Sequence, residues 1–103
     1  MIEEQKMIKV ASASKTASVA GAIAHAMRES ESGEVKVRAM GASAVNQAIK
    51  AIALACKFLL DDDSPVSICC IPAFVDLELD GEEKTAIEMM LQRHEFVGDD
   101  LAN

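Results

Sequence analysis

Hydrophobic residues recur along this chain with two different periods, and the switches between them divide it into six elements. Residues 6–11, Lys-Met-Ile-Lys-Val-Ala, are few and rich in β-compatible side chains, which predicts a first strand. A polar cluster follows, Ser12-Ala13-Ser14-Lys15-Thr16, and beyond it Val19, Ile23 and Met27 stand at helical spacing. Ser14 is placed to cap that helix by accepting a free N–H of its first turn, and the helix is expected to end near Ser30. Ser32-Gly33 supplies the break, since glycine enters the left-handed backbone region without the cost of a Cβ.

Residues 34–40 alternate strictly. Val35, Val37 and Ala39 point to one side while Glu34, Lys36, Arg38 and Met40 point to the other, the signature of a half-buried strand. Gly41-Ala42-Ser43 turns the chain, and Val45, Ile49, Ile52, Cys56 and Leu59 mark the apolar stripe expected of a second helix, with Asn46, Lys50 and Lys57 on another face. Asp61-Asp62-Asp63-Ser64-Pro65 ends it, although three acids at a helix C-terminus oppose the macrodipole and need solvent around them.

Residues 66–75 are almost wholly apolar, as in a strand buried on both faces or lying at a subunit contact, and Pro72 within the run points to a bulge or an unpaired edge. From Phe74 alternation resumes, with Val75, Leu77 and Leu79 expected inward and Asp76, Glu78 and Asp80 outward. Asp80-Gly81 is a hairpin turn signal leading into a last strand, where Thr85, Ile87, Met89 and Leu91 alternate with Ala86, Glu88, Met90 and Gln92. The order is β-α-β-α-β-β, and its natural packing is an α+β fold with a four-stranded mixed sheet and two helices on one face. We expect a short extension over residues 1–5, one domain over residues 6–94, and an acidic C-terminal tail over residues 95–103 that is disordered.

Length and composition fit that picture. A chain of 103 residues, half of them apolar, suits one domain with one core, and with only Phe58, Phe74 and Phe96 as aromatics the core must be aliphatic. The apolar stretches are broken by Lys50, Lys57 and Pro72, and the first residues carry Glu3 and Glu4 where a secretory signal carries bases. The expected location is the cytoplasm, with no membrane partner. Cys56, Cys69 and Cys70 are odd in number and two are adjacent, which suits reduced, buried thiols better than disulfides or a metal site. No cofactor is implied.

Net charge changes the picture more through its distribution than through its total of −7. Residues 5–60 hold eight bases against three acids, whereas residues 61–103 hold two bases against twelve acids. The first part is compatible with phosphate and the second is not.

Several blocks then carry a resemblance. Ile8-Lys9-Val10-Ala11-Ser12, Ser18-Val19-Ala20-Gly21-Ala22, the run from Met40 through Gly41-Ala42-Ser43-Ala44-Val45-Asn46-Gln47-Ala48-Ile49-Lys50 to Ala51, Ile71-Pro72-Ala73-Phe74, and Asp80-Gly81-Glu82-Glu83-Lys84-Thr85-Ala86-Ile87 are together similar to the stage V sporulation protein S family. The resemblance spans about residues 7–93 and implies an Alba-like fold, a homodimer or higher assembly, and a regulatory role in spore-forming bacteria touching septation and coat formation. It also implies a nucleic-acid partner, DNA or RNA. Lys15 in the loop before the first helix matches Alba's lysine-bearing loop, and Lys36 and Arg38 remain on the second strand. Met40-Gly41-Ala42 stands where Alba places arginines around the glycine, and the hairpin from Asp76 to Glu83 is acidic where Alba's arm is basic.

The candidate nucleic-acid-binding residues are Ser14, Lys15, Lys36, Arg38, Ser43, Asn46, Gln47 and Lys50. Both helices are expected to start beside strand ends on one edge of the sheet, where free N–H groups and the positive dipole end favour an anion, and Asn and Gln can hydrogen-bond bases or sugars. The competing reading makes Ser14 and Ser43 helix caps and gives Asn46, Gln47 and Lys50 to a solvated or subunit-facing surface. His25 and His94 have no nucleophile or carboxylate at a catalytic spacing, so an enzyme is not expected. The acids Asp76, Glu78, Asp80, Glu82 and Glu83 lack the ligand order of a calcium loop and read as a solvated hairpin. Two functions remain open: a nucleic-acid-binding regulator, or an assembly module whose acidic hairpin meets a protein partner.

Overall fold

The computed structural model describes residues 7–95, with the backbone alone described at Glu95. The extension over residues 1–5 and the tail beyond Glu95 lie outside the described residues. Six elements follow one another: β1 (Met7–Val10), α1 (Thr16–Glu29), β2 (Glu34–Ala39), α2 (Ala42–Leu60), β3 (Val66–Leu79) and β4 (Glu82–Glu95). They form one four-stranded mixed sheet in the order β1-β2-β4-β3, in which β1 and β2 are parallel and the other two pairings are antiparallel. The α+β class and the Alba-like element order expected from the sequence are what the chain forms.

The alternation of β2 sets the two faces of the sheet. Val35, Val37 and Ala39 are fully buried toward the helices, and register carries that face across to Leu91, Met89 and Ile87 of β4. Glu34, Lys36 and Arg38 lie on the opposite, helix-free face, opposite Gln92, Met90 and Glu88. The helices close the core with small side chains, Ala20, Ala24 and Ala26 from α1 and Ala44, Ala48, Ala51 and Ala55 from α2, which allow close approach, while Ile23, Met27 and Leu59 supply volume.

This inverts part of the expected α2 stripe. Ile52 and Leu59 are buried, but Val45 and Cys56 are only half-buried and Ile49 is 49% exposed. The alanines, at 100° per residue, define the core direction, and Val45, Ile49 and Cys56 are rotated from it toward β3. The 19 residues of α2 are long and apolar enough by composition to cross a membrane, yet one face is core and another carries the exposed Lys50 and Lys57.

β3 takes the edge position that Pro72 suggested, not the doubly buried one. It is one unbroken strand of 14 residues, and at the edge of the sheet it pairs with β4 alone, so residues 69–74 are exposed rather than buried on both faces. Pro72 is tolerated there because an edge strand has one side free of ladder bonds. Beyond Ile87, the last β4 residue paired to β2, the β3–β4 hairpin continues as a two-stranded arm, whose Leu77 and Leu79 line a small cleft with Val10, Arg38 and Met40 at the ends of β1 and β2. Its tip, Asp80-Gly81, has φ of 52° and 78°, the double-positive pattern of the type I′ hairpin turn that the sequence signalled. Val75 and Leu77 are half-exposed and Leu79 exposed, so none enters the core.

At the opposite end, Arg93 ties the layers together. Its Nη1 donates to the carbonyls of Met27 (2.9 Å) and Ser30 (3.1 Å), satisfying orphan acceptors at the C-terminus of α1 with a cation where the dipole favours one. Its backbone N–H reaches the Gly33 carbonyl at 2.7 Å, and Gly33 has φ +76°. Ser30 Oγ organises the same turn, accepting from the N–H groups of Gly33 and Glu34 at 3.1 Å.

Candidate functional site

The eight sequence-selected residues fall on two different surfaces. Parallel pairing of β1 with β2 brings both strand ends, and hence both helix starts, to the same edge of the sheet. Lys15, Ser43, Asn46 and Lys50 are exposed on this side. The cap of α1 is Lys15 rather than Ser14, and the cap of α2 is Gly41; neither helix start has a side-chain cap bond. Ser14 Oγ instead accepts the Ala11 N–H at 2.9 Å, closing the β1–α1 loop on itself. Ser43 sits one residue inside α2 and is not its cap.

Gln47 turns inward. Its Nε2 donates to the Ser14 carbonyl at 2.8 Å and to Thr16 Oγ1 at 3.4 Å, so it clamps the start of α1 to α2. That amide is engaged within the fold.

Lys36 and Arg38 lie on the helix-free face and share one carboxylate. Arg38 Nη2 and Nε donate to Glu88 Oε2 at 2.8 and 3.1 Å, while Lys36 Nζ stands 3.5 Å from Oε1. The Arg38 hydrogen bond, aided by Lys36 and opposed by partial burial, holds the Glu88 carboxyl below the usual carboxylate range. Register explains the trio: Arg38 and Glu88 are direct cross-strand partners, and Lys36 precedes Arg38 by one period on the same face. Lys9 is the direct neighbour of Arg38 on β1. One carboxylate offsets only one of these two strand cations, so the trio keeps a net positive charge beside Lys9, and the helix-start lysine is not part of that cluster.

A second surface carries none of the selected residues. Phe74, 80% exposed, projects on the helix side of β3 beside Ile87, and with Val45, Gly41, Ala42, Asn46 and Ala86 it lines a cleft of about 470 Å³ between β3 and the start of α2. Ile49 and Leu60, at 49% and 45% exposure, extend an apolar band along α2. Cys70 shares this side of β3 with Phe74 and faces toward Cys56 of α2; partial burial, chiefly, and the neighbouring Cys56 raise its thiol pKa. The signal for this surface was present in the apolar run of β3 and in Pro72, but helical spacing alone assigned Ile49 to the core.

The model of stage V sporulation protein S matches residues 6–94. The chain belongs to the stage V sporulation protein S family. The matched span contains every element of the sheet and both surfaces, so the blocks that carried the resemblance can be located. Met40 to Ala51 forms the turn and first half of α2, Ile71 to Phe74 forms the exposed centre of β3, and Asp80 to Ile87 forms the tip and return strand of the arm. Three of the blocks that carry the resemblance thus meet around one exposed apolar cleft.

Proposed function

We propose that this chain is a non-enzymatic, homo-oligomeric regulatory module of the sporulation family, assembling through the apolar face formed by α2 and β3. The observation that carries this reading is Phe74, whose ring stands 80% exposed on that face next to Ile87 and the half-buried Val45. A soluble fold gains about 1.5–3 kcal/mol for each large apolar side chain it covers, and an exposed contiguous patch of this kind marks an interaction surface. The face belongs to a helix and an adjacent edge strand, so a two-fold copy would present the same residues to it. Size-exclusion chromatography with light scattering on the purified chain and on Ile49→Asp tests the reading. Self-association that is lost in the variant supports it; a variant that assembles like the parent would remove α2 from the interface.

Nucleic-acid binding by the helix-start edge is a second reading, favoured by one observation. Lys15 is exposed at the start of α1, Lys50 is exposed two turns into α2, and neither helix start has a side-chain cap. Phosphate would meet free N–H groups and Lys15 there. Mobility shifts on DNA and RNA across a salt series check it: Lys15→Glu with Lys50→Glu abolishes a shift that comes from this edge, and a shift absent at low salt rules the reading out.

A further inference from the structure

We propose that the acidic β3–β4 arm of each copy lies along the lysine-bearing band of α2 in a second copy, giving self-association a charge code in addition to its apolar contact. The inference rests on the assembly reading above and adds the use of the arm, which that reading leaves idle. Residues 76–85 are paired only with one another and contribute no buried side chain, half-exposed Leu77 being the least accessible. One face of the ribbon, Leu77 and Leu79, leans on Met40 and the ends of β1 and β2, while Asp76, Glu78 and Glu83 on the opposite face are exposed. Its helix-side face continues directly from Phe74 as Asp76 and Glu78, and Glu78 lies directly opposite Glu83. Like charges at a cross-strand position destabilise the ribbon unless a cation approaches them. Lys84 is not that cation, because its Nζ is 2.8 Å from Glu82 on the other face.

The complementary surface borders the same apolar face. Lys50 and Lys57 are seven residues apart on α2 and therefore share one side of it, exposed, next to the band of Ile49 and Leu60. Among the described residues neither makes an ion pair, unlike Lys36, Arg38 and Arg28, which face Glu88 and Asp62. The lengths agree: the arm from Phe74 to its tip is about 20 Å at ~3.3 Å per residue, and the lysines are about 10 Å apart along the helix at 1.5 Å per residue. A second copy that covers Phe74 is brought alongside the root of the arm. Two-fold symmetry then makes the arm-to-helix contact twice. A basic partner of another kind is an outcome of the test below.

Sedimentation velocity of the full chain at low and high salt tests the proposal with two charge reversals, Lys50→Glu/Lys57→Glu and Glu78→Lys/Glu83→Lys, and with their combination. Both pairs are exposed, so the fold is left intact. The expected result is a dissociation constant that rises roughly tenfold in each reversed pair at low salt, returns toward the parental value when the two are combined, and weakens in the parent as salt screens the contact. Reversals that change association less than twofold, or a combination no tighter than its parts, overturn the arm contact while leaving the apolar-face reading in place. Ile49→Ser probes that reading separately, since it removes apolar contact without changing the charge beside Lys50. A parent that stays monomeric under all conditions overturns both, and an arm that binds only a basic protein other than a second copy overturns this proposal.

Discussion

Gln47 and Glu88 take polar groups that sequence reading assigns to ligands or to solvent and spend them inside the fold. The Gln47 amide bridges α2 to the loop before α1 through Ser14 and Thr16. A net hydrogen bond of this kind contributes about 1 kcal/mol, so Gln47→Ala should lower the urea-unfolding free energy by that amount, with any nucleic-acid shift unaltered. Glu88 has a depressed pKa, held down first by the Arg38 hydrogen bond. Its contribution is therefore present in full above the ordinary carboxylate range and is lost as pH falls through the depressed value. Glu88→Gln should cost about 1 kcal/mol at neutral pH, and the difference between variant and parent should shrink toward zero in denaturant titrations well below pH 4. Gly33 holds the left-handed backbone that the sequence analysis expects of it. With φ +76° and Arg93 Cβ at 3.5 Å from where a Cβ would stand, Gly33→Ala should destabilise by about 1 kcal/mol, chiefly through backbone strain, readable as a lower thermal midpoint.

The arm and α2 show what a helix or strand can do beyond its local sequence. Because the arm has no ladder partner but itself and only Leu77 and Leu79 lean on the body, replacing residues 76–85 by an Asn-Gly turn between the cross-strand partners Val75 and Ala86 should lower the unfolding free energy by no more than about 2 kcal/mol. Denaturant melts of the shortened chain check this. Element order, the alternation of β2 and the Asp80-Gly81 turn were legible because each is a local pattern with a single backbone solution. The inward face of α2 was not, because alanines and larger aliphatics score alike in a periodicity count while only geometry decides which of them meet α1. Small residues won the core since the two helices approach closely, and Ile49 was displaced to the surface. β3 stays between two readings in the sequence for a related reason: Pro72 points to the edge that it occupies, but an apolar run has the same pattern whether a sheet or a second molecule covers it. In the candidate site, Lys15 and Lys50 stayed at the surface as their sequence suggests, but the Gln47 and Ser14 bonds depend on a loop packing against a helix 33 residues away along the chain. No spacing rule reaches that far.

At the scale of the molecule, three surfaces differ in chemistry. One carries Lys36 and Arg38 with their shared Glu88, one carries the helix starts with Lys15, and one is the apolar α2–β3 face, bordered by Lys50 and Lys57, from which the acidic arm grows. Membership of the sporulation family is set by residues 6–94, which include all three. The apolar face is the one whose exposure is least compatible with an isolated chain, and it organises the functional reading. Sedimentation equilibrium of the chain beside its Phe74→Ser variant tests that claim most directly. The account predicts a parent mass at least twice the 11.0 kDa of the chain at micromolar concentration, and a variant shifted toward the single-chain mass with its fold retained. A parent that remains at the single-chain mass over the whole concentration range, or a variant that assembles as tightly as the parent, would contradict it.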